Sequence, residues 1–305
     1  MQTTDTVLMV RPVRFAYNAQ TALTNTFQND ATTYPEETQA KALVEFDDFV
    51  KILKANGVNV IQVFDTPEPH KPDSIFPNNW VSFHEDGTVV LYPMLTENRR
   101  WERRRSILDL IRQGFIINNE IDLSHYEQDN KFLEGTGSMV LDRQSKICYA
   151  CLSPRTDKDI LDDFAQKLGY RIISFTSVDD KGVKIYHTNV VMCVAKSYVV
   201  ICFDTIKDEL ERLKVTQAII DSGKEIVGIT TAQMNQFAGN MLELHNDRGE
   251  SLLIMSEQAF KSLDEHQISQ IQKFSKLVYT PLYTIETNGG GSARCMLAEV
   301  HLPKL

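Results

Sequence analysis

Long hydrophobic runs are missing from this chain of 305 residues. No apolar stretch approaches the roughly 20 residues a helix needs to cross a bilayer, which excludes a helical membrane protein. The first residues, Met1-Gln2-Thr3-Thr4-Asp5, lack both a basic region and an apolar core. They do not read as a secretion signal, and the expected compartment is the cytoplasm. Positive charge is in deficit: 32 Lys and Arg face 41 Asp and Glu, a formal net charge of −9. That balance argues against sequence-independent binding to nucleic acid or anionic lipid. The basic cluster Arg99-Arg100-Trp101-Glu102-Arg103-Arg104-Arg105 reads as the face and start of a helix rather than a nucleic-acid site.

Cysteine is sparse and odd in number: Cys148, Cys151, Cys193, Cys202 and Cys295. Without an export signal these are expected to be reduced thiols. Cys148 and Cys151 form a C-x-x-C, but no second C-x-x-C or H-x-H accompanies it. In an extended strand their side chains point to opposite faces, so neither zinc nor redox chemistry is read from the pair. No linker rich in Pro, Gly or Ser breaks the chain, so residues 1–305 are expected to form one domain. The apolar fraction of 42% and charged fraction of 24% are ordinary for a globular protein.

What is present alternates between strands and helices. Val7-Leu8-Met9-Val10 reads as a buried strand ended by Arg11-Pro12. Residues 18–34 are polar and aperiodic, a loop near the site or an irregular helix. Pro35-Glu36-Glu37 opens a helix whose apolar positions Ala42, Leu43, Phe46, Phe49, Val50 and Leu53 share one face. The pattern predicts strands over 58–64, 89–92, 146–151, 171–175, 225–229 and 277–279. It predicts helices over 100–113, 157–168, 207–213 and 264–274, the last with Ser262 as a capping residue. Hairpins are predicted over 188–194 with 198–203 and over 241–244 with 252–255. Hairpin, helix, strand recurs about every 50 residues, the habit of a ring or stack of modules sharing one core.

Several segments carry chemistry. Thr287-Asn288-Gly289-Gly290-Gly291-Ser292-Ala293-Arg294-Cys295 joins three glycines to a thiol at the mouth of a strand predicted from Met296 to Leu302. Such a loop is either a tight turn before a buried cysteine or the seat of a nucleophile. Asp73-Ser74-Ile75-Phe76-Pro77-Asn78-Asn79-Trp80 is either a turn or a hydrogen-bonding loop. Glu134, in Leu133-Glu134-Gly135, is either exposed at a turn or functional, because a buried Glu is rare unless paired. Arg155, after Ser153-Pro154, is either a surface charge or a carboxylate receptor. His187 opens an apolar hairpin as either a structural or a catalytic imidazole. Together Glu134, His187 and Cys295 supply a carboxylate, an acid/base and a nucleophile.

This arrangement resembles the guanidine-modifying superfamily of arginine deiminases, dimethylarginine hydrolases and amidinotransferases. The order Asp-x-x-Phe, Leu-Glu-Gly, Ser-x-Arg-Thr, His, Asn-Gly-Gly-Gly…Cys carries the resemblance over nearly the whole chain. It is most similar to the amidinotransferase-like bacterial branch that includes citrulline-utilisation hydrolases. The resemblance implies an α/β fold, a five-bladed propeller of ββαβ units. It implies Cys295 as nucleophile, His187 as general acid/base and Glu134 as its partner. Asp73 and Arg155 match substrate-binding residues, with Arg155 gripping a carboxylate. Arg99 or Arg100 matches a second such arginine, and Phe15 matches the pocket entrance.

The implied reaction cleaves a C–N bond of a guanidino or ureido amino acid, arginine- or citrulline-like, through a covalent thiouronium on Cys295, and needs no metal or organic cofactor. His187 as imidazolium would favour the thiolate. An amidinotransferase with an amine in place of water, or a non-catalytic propeller, are the alternative readings. Asn78-Asn79 depart from the acidic residues common at this point of the motif. Amides both donate and accept, which suits a neutral ureido group or a modified guanidine.

Overall fold

The computed structural model of the chain describes residues 1–29 and 34–305. Within those residues lie five three-stranded sheets. In the first, the central strand β1 (Thr6–Arg11) pairs in parallel with β2 (Asn59–Phe64). The helix Pro35–Ala55 connects them. The next three sheets are built from β3 (Val81–Phe83), β4 (Thr88–Leu91) and β5 (Asn119–Asp122), from β6 (Met139–Asp142), β7 (Ile147–Cys151) and β8 (Arg171–Phe175), and from β9 (Met192–Val194), β10 (Tyr198–Ile201) and β11 (Glu225–Gly228). The fifth contains β12 (Leu242–His245), β13 (Ser251–Ser256) and β14 (Lys276–Thr280). In each of these four the first two strands are antiparallel and the last two parallel, with a helix between.

The last strand, β15 (Ala298–Glu299), returns to pair antiparallel with β1. It supplies the missing first strand of the first unit, so all five sheets are ββαβ units. The expected five-bladed α/β propeller is the observed fold, and the two ends of the chain close it.

Local chemistry explains the elements. Strand β1 is buried on both faces and reads as an unbroken apolar run. The helix Pro35–Ala55 has Pro35 in its first turn beside Glu36 and Glu37, and buries Ala42, Phe46, Phe49, Val50 and Leu53. The helix Lys158–Leu168 is capped by Asp157 and closed by Gly169 at φ 70°. Apolar side chains from neighbouring blades meet in shared clusters, such as Tyr149 with Val199 and Val200, and Val7 with Leu252 and Ile254. Cys148 and Cys151 fall into different clusters, as opposite faces of a strand require. All five cysteines are buried and free.

Four expectations change. The helix predicted over 100–113 is two pieces, Glu97–Arg100 and Arg105–Ile111. The arginines at the break are drawn to separate partners: Arg99, in the first piece, to Glu102, and Arg103 and Arg104, between the pieces, to Glu127 and the Phe64 carbonyl. Thr188–Val191 is a helical turn, and only Met192–Val194 is strand. Asp264, not Ser262, caps the helix Glu265–Gln272, through a capping box with Gln267. The strand expected over 296–302 is confined to β15, and Cys295 lies in the turn Ala293–Met296 before it. The polar segment 18–34 contains a short helix, Ala19–Ala22, and residues 30–33 lie outside the described residues.

One glycine fixes how two blades approach. A Cβ on Gly239 would lie 2.1 Å from the Val190 carbonyl oxygen, so only hydrogen fits between these turns. The Gly239→Ala variant is expected to lose about 2–3 kcal/mol of unfolding free energy, the usual cost of forcing an atom into a packed contact. Urea denaturation measures it, and a change within about 0.5 kcal/mol would show that the turns separate freely.

Candidate active site

The first strand of each blade is entered through a short turn, and these turns gather at one end of the propeller. Pro77–Asn79 precedes β3, Gly135–Ser138 precedes β6, Thr188–Val191 precedes β9 and Ala293–Met296 precedes β15. The segment Phe237–Asn240 plays the same part before β12. Close backbone approach is built in. A Cβ on Gly135, which has φ +46°, would lie 2.4 Å from the Asn78 carbonyl oxygen. A Cβ on Gly137 would lie 2.5 Å from Asn79 Nδ2 and 2.7 Å from His187 Nδ1. The turns surround a narrow cleft lined by Asp73, Phe76, Asn79, Arg99, Arg155, Tyr186, His187, Gly289, Gly291 and Cys295, with Asn25 beside them.

Glu134 is fully buried at the centre of this group. Its Oε2 accepts from His187 Nε2 at 2.8 Å and from Arg155 Nη1 at 3.3 Å, with Arg99 Nη1 at 3.7 Å. Its Oε1 accepts from the Leu95 amide at 3.1 Å. Burial pushes this carboxyl up, but Arg155, His187 and Arg99 more than reverse that and hold it well below the usual carboxylate range. His187 moves the other way. Burial, against the pull of Glu134 and with help from Arg155 and Arg99, brings it down to about 4. The imidazole is therefore neutral at neutral pH, where an imidazolium was expected. A carboxylate accepts only, so the neutral ring carries its proton on Nε2 and leaves Nδ1, beside Gly137 and Asn79, as the basic nitrogen.

Cys295 is buried, and two side-chain amides point at its sulfur. Asn240 Nδ2 lies 3.2 Å from Sγ and Asn189 Nδ2 lies 3.4 Å from it. Asn240 Oδ1 accepts in turn from the Arg294 and Cys295 amides at 3.1 and 3.4 Å. One asparagine thus clamps both the backbone and the sulfur of this turn. The glycine loop serves the same placement. Gly290 takes a left-handed φ of 61° at the end of the helix Tyr283–Gly289. A Cβ on Gly289 would strike the Phe76 ring at 2.8 Å, and one on Gly291 would crowd both Phe76 and the Cys295 Cβ.

The other expected residues divide. Asp73 reaches the cavity, with Oδ2 accepting from Asn18 and Thr21 while Oδ1 is buried without a hydrogen bond. Burial raises its carboxyl against the opposing effects of Arg99 and Asn18. Asn79 reaches it too. Its Oδ1 accepts from Arg99 at 2.8 Å, which turns Nδ2 toward Gly137 and His187. Asn78 is a correction. It sits behind Asn79, accepting its amide at 3.0 Å, and does not line the cavity. Arg99 is the arginine of the pair that enters the site. Its fork is engaged by Glu102 at 2.9 and 3.0 Å, so it buttresses the wall. Arg100 turns away to the Met94 and Leu95 carbonyls. Phe15 is also corrected: it is buried behind Gly289, not at an entrance.

Residues 18–29 cover the cavity. Arg155 donates to the Thr21 carbonyl and Thr24 hydroxyl, at 2.9 and 2.7 Å. Asn25 and Gln28 donate to the carbonyls of Gly289 and Asn288. Phe27 packs on Tyr186 and Phe237. The sequence reading missed Asn189, Asn240, Tyr186 and Glu102. Asn240 follows the sterically required Gly239, which was the signal available for it. An isolated asparagine in an apolar stretch gave none for Asn189.

Five ββαβ units with a cysteine, a histidine and a carboxylate gathered at one end define the guanidine-modifying, or pentein, superfamily of enzymes. Residues 11–302 match the family model described as N,N dimethylarginine dimethylhydrolase, eukaryotic. The chain belongs to that family. Comparison with curated protein sequences returns no match. Among solved structures, the fold is similar to apo ArgZ, an arginine dihydrolase from the ornithine–ammonia cycle in cyanobacteria. The TM-score is 0.76 at 20% identity, covering 98% of this chain and 41% of that one. The chain thus spans less than half the length of full-length ArgZ. The N-terminal domain of ArgZ, covalently bound to a reaction intermediate, matches over 98% of both chains at the same TM-score and 20% identity. A dimethylarginine dimethylaminohydrolase variant in an adduct with S-methyl-L-thiocitrulline matches at TM-score 0.65 and 12% identity, over 97% of this chain and 99% of that one.

Two measurements check the site. The His187 ring protons, followed by NMR, are expected to titrate near 4, and lower still in Glu134→Gln, because Glu134 is what raises the ring. A midpoint at or above the ordinary value of about 6.5 would contradict the burial argument. In Asn240→Ala, iodoacetamide is expected to label Cys295 about five- to tenfold more slowly, the loss of roughly 1 kcal/mol from one amide bond to the thiolate. An unchanged rate would mean that the amide does not support the charged sulfur.

Proposed function

We propose that this chain hydrolyses a C–N bond at the guanidino or ureido end of an arginine-like amino acid, with Cys295 as nucleophile. The observation that carries the reading is the sulfur itself: two amide donors hold it in the same cavity as a histidine oriented by a buried carboxylate. The two amides are placed to support a thiolate, and His187 Nδ1 is a free base.

For a guanidino substrate the steps balance as follows. The Cys295 thiol proton passes to His187, and the thiolate attacks the guanidinium carbon, forming C–S. The C–N bond breaks as His187 protonates the departing amine. Water then attacks the thiouronium while neutral His187 takes its proton. The C–S bond breaks, the thiol is restored, and a ureido product leaves. Holding both partners in one site replaces a bimolecular encounter with an intramolecular one.

Charge supports a substrate bearing a cation. Three buried carboxyls, Glu134, Glu102 and Asp73, face two guanidiniums, Arg99 and Arg155. The Asp73 oxygen without a hydrogen bond is the open position for an ammonium or guanidinium. Burial, against Arg99, raises Glu102 to about 7, as expected where negative charge is in excess. Arg155 is the fork placed to take an α-carboxylate, by exchanging its bonds to Thr21 and Thr24. Asn79 offers the cavity an amide N–H, which a ureido oxygen accepts and a guanidinium does not. The solved relatives bear on the same class: AgrE, 19% identical, was captured with L-arginine.

The test is incubation with arginine, citrulline, agmatine and methylated arginines, with products identified by mass. Cys295→Ala is expected to abolish turnover by roughly 10⁴-fold or more. Asn79→Asp is expected to shift the kcat/KM ratio toward guanidinium substrates by about tenfold, as a charge-assisted bond replaces a neutral one. Turnover that survives Cys295→Ala would defeat the proposal. An unmoved ratio in Asn79→Asp would defeat only the role given to Asn79.

A further inference from the structure

One buried carboxyl close to the nucleophile plays no part in that chemistry. Glu286 lies on the helix Tyr283–Gly289, one turn before the glycine loop, and is 2% exposed. Its carbonyl accepts from the Gly290 amide at 2.9 Å. Its Oε1 accepts from the Ser292 hydroxyl at 2.6 Å. Ser292 is fully buried and is the N-cap of the turn Ala293–Met296, and its carbonyl accepts from the Cys295 amide at 3.0 Å. Two hydrogen bonds therefore lead from the Glu286 carboxyl to the backbone of the nucleophile.

The carboxyl has no compensating cation: among the described residues Glu286 forms no ion pair, and its Oε2 makes no hydrogen bond. The groups around it are few. Ser256, at the end of β13, lies near it, as does Glu45 from the helix Pro35–Ala55. Glu45 is itself engaged by the Thr284 and Ile285 amides. Lys181, Asp179 and Asp180 stand across the outer cavity that Glu286 borders. An uncompensated carboxyl is a costly way to fill space in a protein interior, where a neutral side chain would pack as well.

We propose that Glu286 is a positioning residue for the nucleophile: its carboxylate holds Ser292, and through Ser292 the turn that carries Cys295. The inference rests on the reading of Cys295 as nucleophile. It predicts a pH dependence. Burial, opposed by Ser256 and Ser292, raises the Glu286 carboxyl to about 7. Above that pH the ionised group accepts the Ser292 bond with charge assistance, and below it only a weaker neutral bond remains. The hold on the turn strengthens as pH rises through 7. Burial holds His187 near 4, outside this range, while Glu102, also raised to about 7, is common to wild type and variants, so the difference between them reports Glu286.

The experiment measures iodoacetamide alkylation of Cys295 in the substrate-free chain from about pH 5 to 9, a window that spans the Glu286 ionisation. It compares wild type, Glu286→Gln, Ser292→Ala and the double variant, and measures kcat and KM on the substrate found above. At about pH 8 each single variant is expected to alkylate roughly three- to tenfold more slowly, the loss of a charge-assisted bond. kcat should fall by a similar factor while KM stays within about twofold, the mark of a misplaced nucleophile rather than lost binding. The deficit should shrink toward none below about pH 6, and the double variant should be no worse than either single one. Wild-type rates in Glu286→Gln across the range, or losses that multiply in the double variant, would overturn the proposal. Alkylation needs no substrate. A wild type that shows the expected alkylation differences but turns over no guanidino or ureido compound would therefore sink the catalytic reading and support this one.

Discussion

Everything at the working end of this propeller is arranged about one buried negative charge. Glu134 has no access to solvent, so its charge must be met by neighbours, and His187, Arg155 and Arg99 meet it. Removing one partner of such a set typically costs about 3–5 kcal/mol, because the remainder are left charged in a dry site. Each neighbour arrives on a different segment. Glu134 precedes the turn Gly135–Ser138, His187 precedes Thr188–Val191, Arg99 ends a helical turn after β4, and Arg155 follows β7. The carboxylate is thus also the point at which separate blades are locked in register.

The same charge sets the chemistry. Burial, with help from the arginines that hold Glu134 ionised, disfavours a proton on His187 against the pull of Glu134, so the imidazole rests neutral. A neutral ring bonded to a carboxylate through Nε2 presents a base on Nδ1, and the thiolate must then be supported by something else. The Asn189 and Asn240 amides are that support. A dipole can stabilise a thiolate without adding a cation that would repel a guanidinium. The excess of carboxyls over guanidiniums in the same cluster points the same way, toward a ligand that brings positive charge with it.

The repeat explains why the site lies where it does. Every blade begins with a turn at the same end of its first strand, and the ring brings these turns within contact of one another. Glycine is required where backbone meets backbone, at Gly135 against Asn78 and at Gly239 against Val190. Covering this end is the task of residues 18–29, which spend most of the Arg155 donors and several loop carbonyls on closure.

Much of this was legible in the sequence. The recurrence of hairpin, helix and strand indicated the propeller, because each blade carries its own apolar period and caps. Glu134, His187 and Cys295 were legible for a similar reason: each is a reactive residue in a short glycine-marked or turn-marked motif. The ring closure by β15 was not: a strand was expected there, but nothing in it marks its partner, β1, at the other end of the chain. Nor could the sequence separate Arg99 from Arg100, or Asn79 from Asn78. Neighbouring residues of one type differ only in the direction their side chains take, and that direction is set by partners such as Glu102 and the Leu95 carbonyl on the folded chain. The neutral state of His187 and the hold of Asn189 and Asn240 on the sulfur were likewise decided by tertiary structure. A protonation state depends on burial and on every charge within reach, and those distances do not exist until the blades have closed.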